Sequence, residues 1–214
     1  MGQKTSPISM RLGFNQDWRS RYFGGKNLIK YLKEDVKARQ FLEKRLRFLS
    51  VAKVEIERGP GQIKVIIHTS RPGLIIGRGG SGSEELKKEI ESLIEGTDKA
   101  KIEIQEYKNP ETSAAIMAEQ IVERIEKRVP YRRIIKQALA KIMANKEVRG
   151  AKIGVKGRLD GAEIARTEHM EQGLMPLHKL TADIDFAKNT AYTTYGTVGV
   201  KVWVYKNGTS AKKD

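Results

Sequence analysis

The run Ile75-Ile76-Gly77-Arg78-Gly79-Gly80-Ser81-Gly82 constrains this chain more than any other segment. Its glycines reach backbone conformations closed to other residues, and they leave the space beside the main chain empty. The flanking residues set the context. Upstream, Val51, Val54 and Ile56 are interleaved with Lys53, Glu55 and Glu57, Gly59-Pro60-Gly61 makes a turn, and Ile63, Val65, Ile66 and Ile67 follow. That pattern predicts a β-hairpin. Downstream, Leu86, Ile90, Leu93 and Ile94 share one face of a helix from about Ser83, and Ile102 and Ile104 alternate in a third strand. Tyr107-Lys108-Asn109-Pro110 breaks the pattern and marks a domain boundary.

Three mechanisms compete for the glycines. Gly77, Gly79 and Gly82 satisfy G-x-G-x-x-G, the dinucleotide signature, but that design needs a strand running straight into the loop. Here Thr69-Ser70-Arg71-Pro72-Gly73 interrupts the approach and Glu84-Glu85 opens the next helix. A phosphate-cradling P-loop needs a lysine that is missing. The remaining mechanism is the G-x-x-G loop of a KH module, formed by Gly77, Arg78, Gly79 and Gly80, where a nucleic-acid backbone approaches the peptide closely. A plain glycine turn is the bland reading. Arg78, the apolar residues on both sides and the charge of the chain argue against it.

That charge is unevenly placed. Of 214 residues, 41 are Lys or Arg and 26 Asp or Glu, a formal +15. Residues 1–50 carry +8, residues 80–125 carry −5, and residues 126–158 hold 11 basic groups against 2 acidic ones. Two basic blocks around an acidic middle point to a polyanion partner. Within the second block, Pro130 starts a helix. At about 100° per residue, Arg132, Arg133 and Lys136 fall on one face and Ile134, Ile135, Ala138, Leu139 and Ile142 on the other. One face packs; the other presents cations to phosphates.

Elsewhere, residues 1–24 read as an extended basic arm. A helix from Asn27 carries Leu28, Ile29, Leu32, Val36, Phe41, Leu42, Leu46 and Leu49 as an apolar stripe. Another helix follows Thr112. Lys152–Arg158, Leu180–Tyr195 and Thr197–Tyr205 read as strands, and residues 159–178 as mostly loop. No apolar run approaches the roughly 18 residues of a membrane span. The chain has no cysteine, and His68, His169 and His178 lack ligand spacing, so neither a metal nor another cofactor is expected. The acid pairs Asp160/Glu163 and Asp183/Asp185 are expected to anchor arginines rather than act as acid and base. An enzyme, such as a DNA lyase, and a free-standing KH-type regulator of messages are the rival classes.

Longer strings carry a resemblance. Met1-Gly2-Gln3-Lys4, Pro7, Arg11-Leu12-Gly13, His68-Thr69-Ser70-Arg71-Pro72-Gly73, the run from Gly157 to Glu168, Pro176-Leu177-His178, Ala182-Asp183-Ile184-Asp185 and Thr193-Thr194-Tyr195-Gly196 resemble the bacterial-type small-subunit ribosomal protein S three family over nearly the whole chain. The resemblance implies an α+β fold: arm 1–24, a type II KH domain over 25–108, a mixed α/β domain of two helices on a sheet over 109–206, and a flexible basic tail, 207–214. It implies a non-enzymatic, cytoplasmic ribosomal protein, not a homo-oligomer, binding small-subunit rRNA in the head beside proteins ten and fourteen. It also implies a place in the mRNA entry channel, with Arg132, Arg133 and Lys136 matching the channel cations. Lys4, Arg11, Arg19, Arg21, Arg149, Lys156, Arg158 and Arg166 are expected to contact rRNA. Gly79, Gln137, Ala140 and His169 depart from the family pattern: a second loop cation, two arginines and a tryptophan are absent.

Overall fold

The computed structural model describes residues 5–23, 25–59, 61–94 and 99–207. Lys4, Pro60 and the tail from residue 208 lie outside the described residues. The chain divides into two compact units. Trp18–Lys108 forms one; Asn109 onward, joined by the residues up to Asp17, forms the other. The boundary falls in the expected Tyr107–Pro110 break. The 1–24 arm, however, is not one element. It is shared out between the units.

The chain opens with the short helix α1 (Pro7–Arg11) of the second unit. The first unit then runs β1 (Ser20–Arg21), α2 (Leu28–Arg45), β2 (Val51–Gly59), β3 (Gln62–Thr69), α3 (Pro72–Ile76), α4 (Ser81–Leu93) and β4 (Lys99–Glu106). Its sheet has the order β1-β2-β3-β4, with β2 and β3 antiparallel and the outer pairs parallel. Val65 of central β3 lies opposite both Ile56 and Ile102. These residues, with Leu42, Leu46, Ile67, Ile75, Leu86 and Ile90, form the core between sheet and helices. Helix, hairpin, two helices and a last strand, with the glycine loop between the two helices, meet the KH expectation. Helix α3 was not expected. It carries the chain into the loop where a dinucleotide site needs a strand.

The α2 stripe holds only in part. Ala38, Leu42 and Leu46 are buried, but Leu28, Ile29, Leu32 and Val36 are exposed. At that end the buried residues are Glu34 and Asp35. Arg58 of β2 donates to Glu34 at 2.7 Å and to Asp35 at 2.7 and 3.0 Å, and its guanidinium lies 4.7 Å from the Tyr31 ring centre. An arginine bridging two buried acids thus stands where an apolar seam was expected.

The second unit has α5 (Ala114–Glu126), α6 (Tyr131–Ala144), β5 (Val148–Gly157), β6 (Arg166–Gly173), β7 (Ile184–Thr193) and β8 (Gly196–Lys206). Its antiparallel sheet has the order β6-β5-β8-β7. In β5, Ala151, Ile153 and Val155 point inward, opposite Val204, Val202 and Val200 of β8. They pack on Ile116, Met117, Ile121, Ile134, Ile135 and Ile142 of the two helices, all nearly sealed from water. Each such side chain contributes about 1.5–3 kcal/mol by burial. Strand β6 was expected as loop. Its residues, Arg166-Thr167-Glu168-His169-Met170-Glu171-Gln172-Gly173, are mostly charged or polar at a largely exposed sheet edge.

Arg11 corrects an expectation. It is fully buried. Its guanidinium donates to the carbonyl oxygens of Ala182 (2.8 Å), Pro7 (3.0 Å), Leu177 (3.0 Å) and Lys179 (2.8 Å). Every one of those acceptors is protein main chain. Arg11 clasps the start of the chain to the 177–182 segment and has no face left for rRNA.

Candidate nucleic-acid interface

Helix α6 presents the separation of faces expected from its spacing. Tyr131, Ile134, Ile135, Ala138, Leu139 and Ile142 are buried, while Arg132, Arg133 and Lys136 are exposed. The buried side fixes the helix on β5 and β6, so the cations stand on a rigid rod. Asp160, in the turn after β5, accepts from the Tyr131 backbone N–H at 3.4 Å. Asp185 of β7 likewise accepts from the Ala114 N–H at 2.9 Å and caps α5. Acids from distant segments thus serve the helix N-termini. The Asp185–Lys206 approach is loose at 3.9 Å. Among the described residues neither of these two acids pairs with an arginine; of the expected pairs it is Asp183 that interacts electrostatically with an arginine, Arg11. Burial raises the pKa of Asp183, against Lys206, which lowers it.

The three cations are not equivalent. Arg132 donates to Glu168 at 3.1 Å and to the Tyr131 hydroxyl at 3.1 Å, and that hydroxyl donates to Glu168 at 2.6 Å. The Tyr131 hydroxyl and then the Arg132 guanidinium hold the Glu168 carboxyl below its usual range. Among the described residues, Arg133 and Lys136 have neither a hydrogen-bond nor an ion-pair partner. Gln137 accepts from Arg124 of α5 at 3.0 Å, so another arginine is carried to the position that departs from the family pattern.

The glycine loop sits in the other unit. Gly77, Gly79 and Gly80 have φ of 73°, 62° and 86°, a region open to glycine. A Cβ on Gly82 would lie 2.6 Å from the Ile75 carbonyl oxygen, so α4 starts in main-chain contact with α3. Arg78 is exposed and without a described partner. Gly79 gives up the second cation and takes the left-handed conformation without strain.

The remaining expected cations scatter. Arg21 binds Glu55 and Glu57, both at 3.3 Å, on the first sheet. Arg158 donates to the carbonyl oxygens of Ala162 at 2.9 Å and Tyr195 at 3.2 Å. Arg19, Arg149, Lys156 and Arg166 are exposed. Two lysines had escaped notice. Lys188 of β7 stands opposite Lys201 of β8, and Lys201 opposite Gly154 of β5, which is in turn opposite His169 of β6. With Lys156 two residues along β5, they form an outward basic patch on the second sheet. Like charges directly opposite each other destabilise a sheet unless an anion compensates them. The alternation in β7 and β8 puts both lysines outside, but only their register brings them together.

Comparison with known proteins agrees. Residues 37–112 match the family described as KH domain, and residues 121–204 match Ribosomal protein S3, C-terminal domain. The chain is 46% identical over 214 residues to small ribosomal subunit protein uS3 of Caldicellulosiruptor saccharolyticus, covering 100% of this chain and 96% of the relative. To the uS3 of Synechocystis it is 45% identical, over 96% and 86%. To that of Desulfitobacterium hafniense it is 46% identical, over 96% and 93%. The KH unit, the two helices on a four-stranded sheet and these identities agree, and the chain belongs to the uS3 family of the small ribosomal subunit, which is structural and not enzymatic.

Proposed function

We propose that this chain is a structural constituent of the small ribosomal subunit that binds rRNA in the head and guides mRNA along α6 as it enters. The observation that carries the reading is the pair Arg133 and Lys136, unpartnered and held on a helix whose opposite face is buried. Fixed cations on a rigid element bind phosphates without a large ordering cost. They grip one strand while translocation draws it from its duplex, and nothing in the chain need hydrolyse a nucleotide. The patch of Lys156, Lys188 and Lys201 and the loop of Gly77, Arg78, Gly79 and Gly80 are the proposed rRNA anchors, with Arg149 of β5 and Arg166 of the edge strand β6. The resemblance alone supports the partners ten and fourteen, the monomeric state and the cytoplasmic location.

The test replaces Arg132, Arg133 and Lys136 together by alanine in assembled subunits. Translation through a stable mRNA hairpin is then timed. Longer pauses are expected, with the protein's own stability changed by no more than about 1–2 kcal/mol, these being exposed positions of which, among the described residues, only Arg132 gives up a surface ion pair. Unchanged pausing with normal assembly would sink the reading.

A further inference from the structure

The second unit contains a cavity of about 440 Å³ between the end of α5, the start of α6, the turn after β5 and the β7–β8 turn. Its floor is apolar, made by Ile125, Leu159 and Val198. Tyr192 and Tyr195 stand at its mouth, 65% and 55% exposed, and Arg128 and Arg158 lie on its rim. Two carboxylates are also present, but each is occupied by main chain. Glu126 accepts from the Tyr192 N–H at 2.9 Å, and Asp160 from the Tyr131 N–H at 3.4 Å. Both tie the walls together.

The Tyr195 ring is held in place although it faces water. The Thr193 hydroxyl donates to the Gly196 carbonyl at 2.7 Å and closes the turn. Arg158 holds the Tyr195 carbonyl at 3.2 Å. Gly161, at φ +83°, backs the ring so closely that a Cβ there would lie 3.3 Å from it. An exposed aromatic fixed in this way loses little freedom when something stacks on it, and every nucleobase has a face to offer. Arg128 has no described side-chain partner, and the Arg158 Nη2 carries no described bond.

The geometry points to a subsite for one unstacked base of single-stranded RNA: the base enters the cavity against Tyr195, and its neighbouring phosphates meet Arg128 and Arg158. Tyr131 forms part of the cavity wall while its ring lies 5.8 Å from the Arg132 guanidinium, so the subsite continues the cation face of α6. The inference rests on the α6 reading, because that face delivers the strand to the mouth.

The experiment uses the full chain and a short single-stranded oligonucleotide carrying 2-aminopurine, beside an abasic oligonucleotide of equal length and charge. The base-bearing strand should bind about tenfold more tightly, and its fluorescence should be quenched. Tyr195→Ala should remove both the preference and the quench; Tyr195→Phe should keep them. Arg133→Ala with Lys136→Ala should weaken both oligonucleotides in parallel and leave their ratio intact. Equal binding of the two strands by the parent protein, or a ratio that survives Tyr195→Ala, overturns the subsite. If the double cation variant weakens neither strand, the α6 reading fails separately, whatever the ratio shows.

Discussion

The two units spend their positive charge differently. In the first, several cations are matched to acids inside the unit: Arg58 with the buried Glu34 and Asp35, Arg21 with Glu55 and Glu57, Lys64 with Glu103 at 2.9 Å. In the second, the ion pairs lie nearer the surface, as between Arg132 and Glu168 or Lys152 and Glu171, and Asp160, Asp185 and Glu126 accept from main-chain N–H groups. Arg133, Lys136, Lys188 and Lys201 are left without an acidic partner among the described residues. Net charge alone does not separate these cases. An arginine facing a buried carboxylate is a structural part, whereas one facing water on a rigid helix is a means of binding. The residues at the border between these roles are where the distinction can be broken.

The largest effect is expected at Arg58. Arg58→Met keeps much of the side chain's volume but leaves Glu34 and Asp35 buried without their hydrogen-bonded counter-charge, with Lys30 3.9 Å from Glu34 as the nearest replacement for that acid. Removing one partner of such a group costs about 3–5 kcal/mol, read by chemical denaturation. A loss below about 1 kcal/mol would make Arg58 a surface ion pair and erase the contrast. Next is Arg11, the exception in the second unit. Arg11→Met leaves the main-chain acceptors of Leu177 and Ala182 unsatisfied and should cost about 2–3 kcal/mol. The same variant should leave RNA affinity of the folded protein unchanged. An affinity loss without destabilisation would return Arg11 to the rRNA contacts.

The smallest effect concerns Glu168. Its carboxyl is held below the usual range, so its folded-state pKa is depressed. The interaction is fully present above the unfolded value of about 4.3 and is lost only as pH falls through the folded one. At neutral pH only a substitution frees Arg132. Glu168→Gln should raise the steepness of the salt dependence of single-strand binding by about 0.7, one added phosphate contact. An unchanged slope would leave Arg133 and Lys136 as the whole grip.

Local pattern made much of this legible and missed what distant residues decide. The faces of α6 follow from spacing within one helix, and both its buried and exposed sides are as expected. Strand β6 had no such signal, because Glu168, His169 and Glu171 pair along an edge that buries little more than part of Met170, too little for an apolar alternation. The first turns of α2 misled for the opposite reason. Leu28 and Leu32 have the right period, but Arg58, some 20 residues away in sequence, selects Glu34 and Asp35 for burial. Arg11 looked like its neighbours in a basic arm; acceptors 166 to 171 residues later decide its place. The Lys188–Lys201 patch needed the register of β7 on β8.

The Arg11 clasp also orders events in time. Its acceptors at Leu177, Lys179 and Ala182 are separated from it by most of the chain. At about 5–20 residues per second of synthesis, they emerge roughly 10–30 s after it. Throughout that interval the start of the chain has nothing to close on, and the last residue of the Trp18–Lys108 unit is made within it, well before Leu177. Nascent chains therefore pass through a stage with a complete KH unit and an unfastened, basic leading segment. The clasp can close only once residues 177–182 have been made, with β7 and β8 still to follow.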